Sequence, residues 1–396
     1  MVETTAVKRP RHSLHTPQPP TYLPYDVVVE EILCRLPVKL LRQLCCVCKS
    51  WNTLISKDLK FTKKHLRMST KNRYLITTRW RGSKELTINS YPLDSIPFHS
   101  ILTSNGTQLD YPHISQRYLR HGLVDSCDGL LCFLINDHLV NIYNPCLRKV
   151  KELPYLHFPH FLTYCQYAFG YDPFIDNYKV IAVLSYFVPE NDQIVCKSSE
   201  VKVYTLGTDS WKKIKDFPSS KTPHGRRRRG IFVSGTVNWL TYDDNSKNFT
   251  GIVSLHLGSE SYQEIPLPGD NVNFNTLTLD VMRDCLCIFS QESVESFIDV
   301  WLMKEYYVNK DSWVKLISVP HIGDSGYFSH PGGSAYFFTK ILDISEDNNQ
   351  VLLVFTELDK LKWVVYDCKN KTPVSSKIED LSWVESNVYV ESLISP

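Results

Sequence analysis

The chain has 396 residues, 43% hydrophobic and 22% charged, which leaves room for one small module beside a large repeat domain and excludes disordered, collagen-like and coiled-coil classes. A formal charge of +2 hides an asymmetry: positions 1–70 hold twelve Lys/Arg against five Asp/Glu, a surplus of +7, and the remainder carries −5. A short basic segment suits an acidic partner protein or nucleic acid, whereas the low total argues against a protein coated in positive charge. No apolar run approaches the roughly 20 residues of a membrane helix and the basic start lacks a signal core, so the sequence reads as soluble, non-secreted, cytoplasmic or nuclear, with no membrane partner.

Residues 1–20 carry Lys8, Arg9, Arg11 and four prolines with no apolar pattern, the signature of a mobile basic tail. Residues 21–66 change character and contain no glycine. Pro24 precedes Asp26, a candidate N-cap, and Val28, Val29, Ile32 and Leu33 follow at helical spacing until Pro37 ends the pattern. A second helix runs through Leu40, Leu41 and Leu44, and a third through Val47, Trp51, Leu54 and Ile55. A unit of this size buries too little surface to be comfortable alone. Leu23, Pro24, Ile32, Leu36, Pro37, Val47 and Trp51 are more apolar side chains than three short helices can turn inward, so part of them should form a docking patch. Core packing is the competing role for Trp51 and Ile55.

From about residue 72 the apolar pattern shortens to runs such as 74–78, 130–134, 180–184, 201–206, 286–289 and 351–355, separated by Gly, Asn, Asp and Pro. That is an all-β pattern. Asp209, Ser210 and Trp211, then Glu260, Ser261 and Tyr262, then Asp311, Ser312 and Trp313 repeat acid, serine, aromatic at a spacing of 51 residues. A period near 50 with four strands per unit suits a kelch-type propeller blade. Five hairpin-like stretches (DSCDGLLCF, GYDPFIDNYKVIAV, VSGTVNWL, LDVMRDCLCIF, LDISEDNNQVLLVF) give five units. RYLITTRW and KELTINSY with NVYVESL supply a sixth, closed by strands from both ends of residues 67–396. A two-sheet sandwich is the alternative architecture.

Residues 23–56 resemble the F-box, through Leu23 and Pro24, 29–33, Leu36 to Lys39, and Cys46 to Trp51 followed by Leu54 and Ile55. The remainder resembles the F-box-associated domain of plant F-box/kelch proteins, through SCDGLLCF (126–133), YNPCLRKVKELP (143–154), FGYDPFIDNYKVIAV (169–183), VYTLGTDSWKKI (203–214), VSGTVNWL (233–240), VSLHLGSESYQEIPLP (253–268) and VWLMKEYYVNKDSWVKL (300–316). Gly332 and Gly333 are the single Gly-Gly pair, which favours the F-box-associated variant over strict kelch repeats. Leu40 and Arg42 stand where the family carries Ser and Leu, and Cys45 where it carries Arg, so the second helix is expected to lose a cap and an apolar contact. The resemblance implies a three-helix F-box followed by an all-β propeller of about six blades. It also implies a non-catalytic substrate receptor of an SCF-type ubiquitin ligase. Its partners would be a Skp-type linker subunit, through it cullin and RING subunits, and a target protein of unknown identity. The linker-binding set it implies is Leu23, Pro24, Ile32, Leu33, Leu36, Pro37, Val47, Lys49 and Trp51.

Target recognition in such an architecture belongs to loops on a rigid frame. Three stretches stand out: 186–199; 219–230, with Arg226, Arg227, Arg228 and Arg229 suited to an acidic or phosphorylated target; and 323–334, with Tyr327, Phe328 and His330. Trp211, Tyr262 and Trp313 read instead as blade packing. No cofactor or metal is expected, since Cys45, Cys46 and Cys48 stand near no paired histidines. Cys132, Cys165, Cys196, Cys285 and Cys287 read as small core residues. Four rivals remain: a catalytic propeller, for which no hydrolase, metalloprotease or nucleotide motif is present; a helix-turn-helix, which the apolar third helix disfavours; a glycan-binding propeller; and a non-ligase protein-binding scaffold that uses the linker alone.

Overall fold

The computed structural model describes residues 23–69, 73–81, 85–93, 106–111, 122–158, 163–190, 193–218, 222–224, 229–243, 248–269, 276–291, 297–304, 312–319, 337–345, 347–357, 360–380 and 384–396. The helical part opens with α1 (Tyr25–Val27), which runs on through a π turn (Val28–Ile32) and a 3-10 turn (Leu33–Arg35). Pro24, not Asp26, takes the cap position, and its carbonyl accepts the Val28 N–H at 3.2 Å. Pro37 takes the N-cap position of α2 (Val38–Leu44) without a side-chain cap bond, and Leu40 lies within the helix rather than at its cap. Arg42 leaves the helical core altogether and donates to the Cys146 carbonyl.

Helix α3 (Lys49–Lys57) stops at Asp58, whose Oδ1 accepts the N–H groups of Lys60 at 2.8 Å and Phe61 at 3.0 Å. That cap starts α4 (Leu59–Ser69), so the module has four helices rather than three and α4 crosses the expected boundary at 66. The apolar stripe of α4 is thin, essentially Phe61 and Leu66 among lysines, which is why periodicity alone did not separate it.

The strands form six sheets. In the closing blade β1 (Arg73–Arg81), β2 (Glu85–Pro92) and β3 (Thr107–Leu109) pair with β25 (Val384–Val390) in the order β25-β1-β2-β3, with Arg73 opposite Val390. This is the two-ended closure expected from RYLITTRW and NVYVESL. The next blade holds β4 (Gly122–Cys127), β5 (Leu130–Asn136), β6 (Leu139–Asn144) and β7 (Lys149–Glu152). It is followed by β8 (Thr163–Asp172), β9 (Asn177–Glu190), β10 (Gln193–Thr205) and β11 (Trp211–Lys213). The third set is β12 (Thr222–His224) and β13 (Ile231–Val233), both on β14 (Thr236–Asp243), then β15 (Asn248–His256) and β16 (Ser261–Ile265). The last two blades are β17 (Thr276–Met282) to β20 (Trp313–Val319) and β21 (Phe337–Ile344) to β24 (Thr372–Asp380). The innermost strands β25, β4, β8, β13 and β17 neighbour one another in succession, and β21 returns to β25.

Six apolar clusters lie between the blades, one per interface. Strand β9 shows how a continuous apolar run serves two of them: Val180, Ala182 and Leu184 face the blade before, Ile181 and Val183 the blade after. Hairpins of two residues join many of the strands. Asp128 and Gly129 (φ 50° and 78°) and Ser234 and Gly235 (φ 46° and 80°) take the left-handed pair of angles that a tight right-twisted hairpin demands.

The recurring aromatics tie blade to blade. Trp211 Nε1 donates to the Pro154 carbonyl at 2.8 Å, Tyr262 OH to Lys215 at 2.9 Å and Trp313 Nε1 to Pro266 at 2.9 Å. Each aromatic stands on the outer strand of its blade and reaches the chain just beyond the outer strand of the preceding one. Arg73 closes the ring on the other side with a two-pronged contact to Asp343, at 3.2 and 3.0 Å. Of the expected core cysteines, Cys132, Cys165 and Cys287 are buried, while Cys196 and Cys285 are only half-buried.

Candidate partner-docking surfaces

The helical module packs on one end of the ring. Val29, Leu33, Cys34, Val38, Leu41, Ile55 and Phe61 form its core together with Leu393, and Cys146 and Leu147 of the β6–β7 turn lean on it. Leu66 of α4 enters the core between two blades, and Lys63 pairs with Asp176 in the β8–β9 turn. Tyr171 also donates to Asp176, and these two partners hold its carboxyl below the ordinary range, Lys63 contributing most. Burial pushes the neighbouring Asp128 up, against the hydrogen bond it accepts from Tyr178 at 2.9 Å.

Several apolar side chains of the helical module stay in water. Leu23 and Val47 are each 63% exposed, Pro24, Ile32 and Pro37 are exposed, and Lys49 is exposed beside Val47. Leu36 and Trp51 are half-buried and lean on the helical core. Leu33 is 2% exposed and sits inside that core, so it packs the module and is withdrawn from the docking set. Ile55, at 3%, takes the core role that competed for it. Four more apolar side chains join the exposed set without having been singled out: Tyr25, Val27, Leu40 and Leu59. Leu40 carried a signal, since an apolar residue replaces the Ser usual at that position. Glu30 draws up the pKa of Lys64 by ion pairing and fastens α4 to the π turn. The Ser50 hydroxyl, 3.1 Å from the Cys48 sulfur, holds that exposed thiol below its ordinary range.

The opposite end of the ring carries none of the described helices. There β9 and β10 outrun β8, so residues 186–190 and 193–199 form a two-stranded ribbon in place of an irregular loop, with Val195 exposed and Pro189 opposite Ile194. His138 in the β5–β6 turn stacks on Tyr155 at 4.9 Å and 12°, with Phe158 4.0 Å from it on the segment after β7. Arg226, Arg227, Arg228, Tyr327, Phe328 and the stretch 323–334 lie outside the described residues. Arg229 is described and is no surface arginine. Its guanidinium donates to the Val124 carbonyl at 3.3 Å and pairs with Asp280 at 3.4 Å, the two side chains being 8% and 6% exposed. Gly230 N–H, next to it, donates to the Tyr167 carbonyl at 2.8 Å. Arg229 thus joins three blades around the axis, which removes it from the target-binding set.

Residues 93–396 match the F-box associated beta propeller domain, and residues 22–63 match the F-box domain. The chain belongs to this family of F-box proteins. An F-box/kelch-repeat protein of Arabidopsis thaliana is 30% identical over 387 residues, which cover 95% of this chain and 96% of that one. The F-box protein CPR1 of the same plant is 28% identical over 94% of this chain and 88% of its own length. Among solved structures a chain of the nidogen/laminin complex overlays with a TM-score of 0.43 at 10% identity, covering 81% of this chain and 98% of that one, too loose a likeness to bear on function. With a helical F-box at one end and a six-bladed propeller behind it, this F-box protein is built to face two ways.

Proposed function

We propose that this F-box protein is the substrate-receiving subunit of an SCF-type cullin-RING ubiquitin ligase. The F-box helices dock a Skp-type linker, the linker brings cullin and RING subunits, and the free end of the propeller holds a target protein. The supporting observation is the contrast in burial. Each of the six blade interfaces holds a buried apolar cluster, yet Leu23, Val47, Ile32, Pro24 and Pro37 of the helical module stay in water. Burying an aliphatic side chain contributes roughly 1.5–3 kcal/mol while association costs about 4–15 kcal/mol, so several such anchors have to act together. Exposed Lys49 and Lys60 on the same module suit a partner with an acidic surface.

The chain itself supplies no chemistry in this scheme. It raises the effective concentration of the target's lysines near a ubiquitin-charged enzyme. The reading also places the protein in the cytosol or nucleus, where such ligases work. Affinity purification of the wild type beside a Leu23→Ala/Pro24→Ala/Val47→Ala variant tests the assignment. Linker and cullin should accompany the wild type and be absent from the variant, while the thermal unfolding of both stays the same. A wild type that recovers no linker sinks the reading.

A further inference from the structure

Residues 391–396 follow β25 and turn onto the end of the ring that carries the helices. Consecutive side chains there serve two separate cores. Leu393 is a member of the F-box core with Leu33, Leu41 and Ile55, and Ile394 packs with Leu66 between two blades. Ser392 is fully buried.

Two motif residues from distant parts of the sequence converge on this segment. Asn144 Nδ2, at the end of β6, donates to the Ser392 carbonyl at 3.1 Å and the Ile394 carbonyl at 2.6 Å, and lies 3.3 Å from Ser392 Oγ. Its Oδ1 faces the other way and accepts the N–H groups of Cys146 at 2.8 Å and Leu147 at 3.1 Å. Gly129 supplies the room: a Cβ there would stand 2.4 Å from Ser392 Oγ and 2.6 Å from the Val390 carbonyl. Lys39 of α2 lies near enough to Glu391 to draw its carboxyl down against the burial that raises it. One amide therefore fixes both the turn that leans on the helices and the segment that enters them.

We propose that residues 391–396 act as a positioning strap that makes the F-box helices and the propeller a single rigid unit, with Leu393 as the shared core residue and Asn144 as its anchor. The linker-docking face and the target-holding end then keep a constant relative orientation, and the gap that ubiquitin must bridge is set by this chain. Only that last consequence rests on the ligase reading. The strap itself is a statement about the two parts moving together.

Asn144→Asp separates the two duties of Asn144. It retains an acceptor for Cys146 and Leu147 but replaces the donor with an oxygen that repels the Ser392 and Ile394 carbonyls. Hydrogen exchange on the full chain, read by mass spectrometry, should show the amides of α2 and α4 exchanging at least tenfold faster in the variant. Those of β5, β9 and β22 (Gln350–Glu357) should be unchanged, and small-angle scattering should report a larger radius of gyration. Leu393→Ala should reproduce the pattern and Lys149→Ala should not. Unchanged exchange in α2 and α4 overturns the proposal. So does loss of protection spread over every blade, since Asn144 would then serve the propeller alone. Linker recovery, measured separately on the wild type, decides the ligase reading whatever the exchange shows.

Discussion

In the propeller each blade has a neighbour on both sides, so a strand such as β9 buries five consecutive apolar residues, 180–184, without leaving one for a partner. The F-box helices have no such symmetry. They rest on the ring, borrow Leu393, Cys146 and Leu147 to finish their core, and keep Leu23 and Val47 in water. Closure in one region and incompleteness in the other have the same origin: buried area relative to size. A ring of six sheets can satisfy itself, whereas about 45 residues of helix cannot, and what remains uncovered becomes a docking face.

The sharpest way to break this contrast is to exchange the two kinds of damage. Trp239, 1% exposed and edge-on to Phe217 at 5.8 Å, fills the core between two blades. Trp239→Ala should cost roughly 3–5 kcal/mol, read as a lowered midpoint in denaturant unfolding. Val47→Ala should change unfolding stability by no more than about 0.5 kcal/mol and weaken linker capture instead. Equal stability losses in the two variants would erase the distinction.

Arg229 gives the next largest effect. Arg229→Ala takes the guanidinium of Arg229 away from buried Asp280, a loss that typically costs about 3–5 kcal/mol, and Arg229→Met paired with Asp280→Leu should recover most of it. Target binding that falls while unfolding is untouched would return Arg229 to the recognition surface.

A smaller effect depends on pH. His65 of α4 is fully buried, and burial pulls its pKa below the ordinary 6.5. Its Nε2 lies 2.8 Å from the Leu36 carbonyl, which can only accept, so that nitrogen carries the proton of the neutral ring. A depressed base binds fewer protons in the folded state. Its contribution is complete above 6.5 and is lost as pH falls below that value, levelling off under the folded pKa. Helical stability, followed by exchange of the α4 amides, should decline below pH 6.5 in the wild type and be flatter in His65→Gln. The smallest change is expected at the exposed Arg35–Glu31 pair, where Arg35→Ala should alter stability by no more than about 0.5 kcal/mol in thermal unfolding.

Much of this was legible in advance, and the exceptions share a cause. The 51-residue spacing of Trp211, Tyr262 and Trp313 marked the blades because each aromatic meets the same carbonyl environment in its own repeat. Pro24 and Pro37 were recognisable as surface and turn residues because proline has no N–H for a helix interior. Leu33 was misplaced into the docking set, since one helical stripe cannot say which leucine the next helix covers. Arg229 was misplaced for a stronger reason. Four arginines in a row look alike in sequence, and only the ring brings Asp280 and the Val124 carbonyl, 51 and 105 residues away in the chain, to one of them.

The order of residues by itself determined the repeat length, the two-ended closure and the surplus of apolar side chains in the helices, because these are local patterns and local chemistry repeats them faithfully. Which of those side chains stay in water, which arginine is enclosed, and how residues 391–396 complete a core begun near residue 29 were decided by the closing of the ring. Such contacts join segments with no sequence relation, and burial is a property of what lies on the far side of a residue.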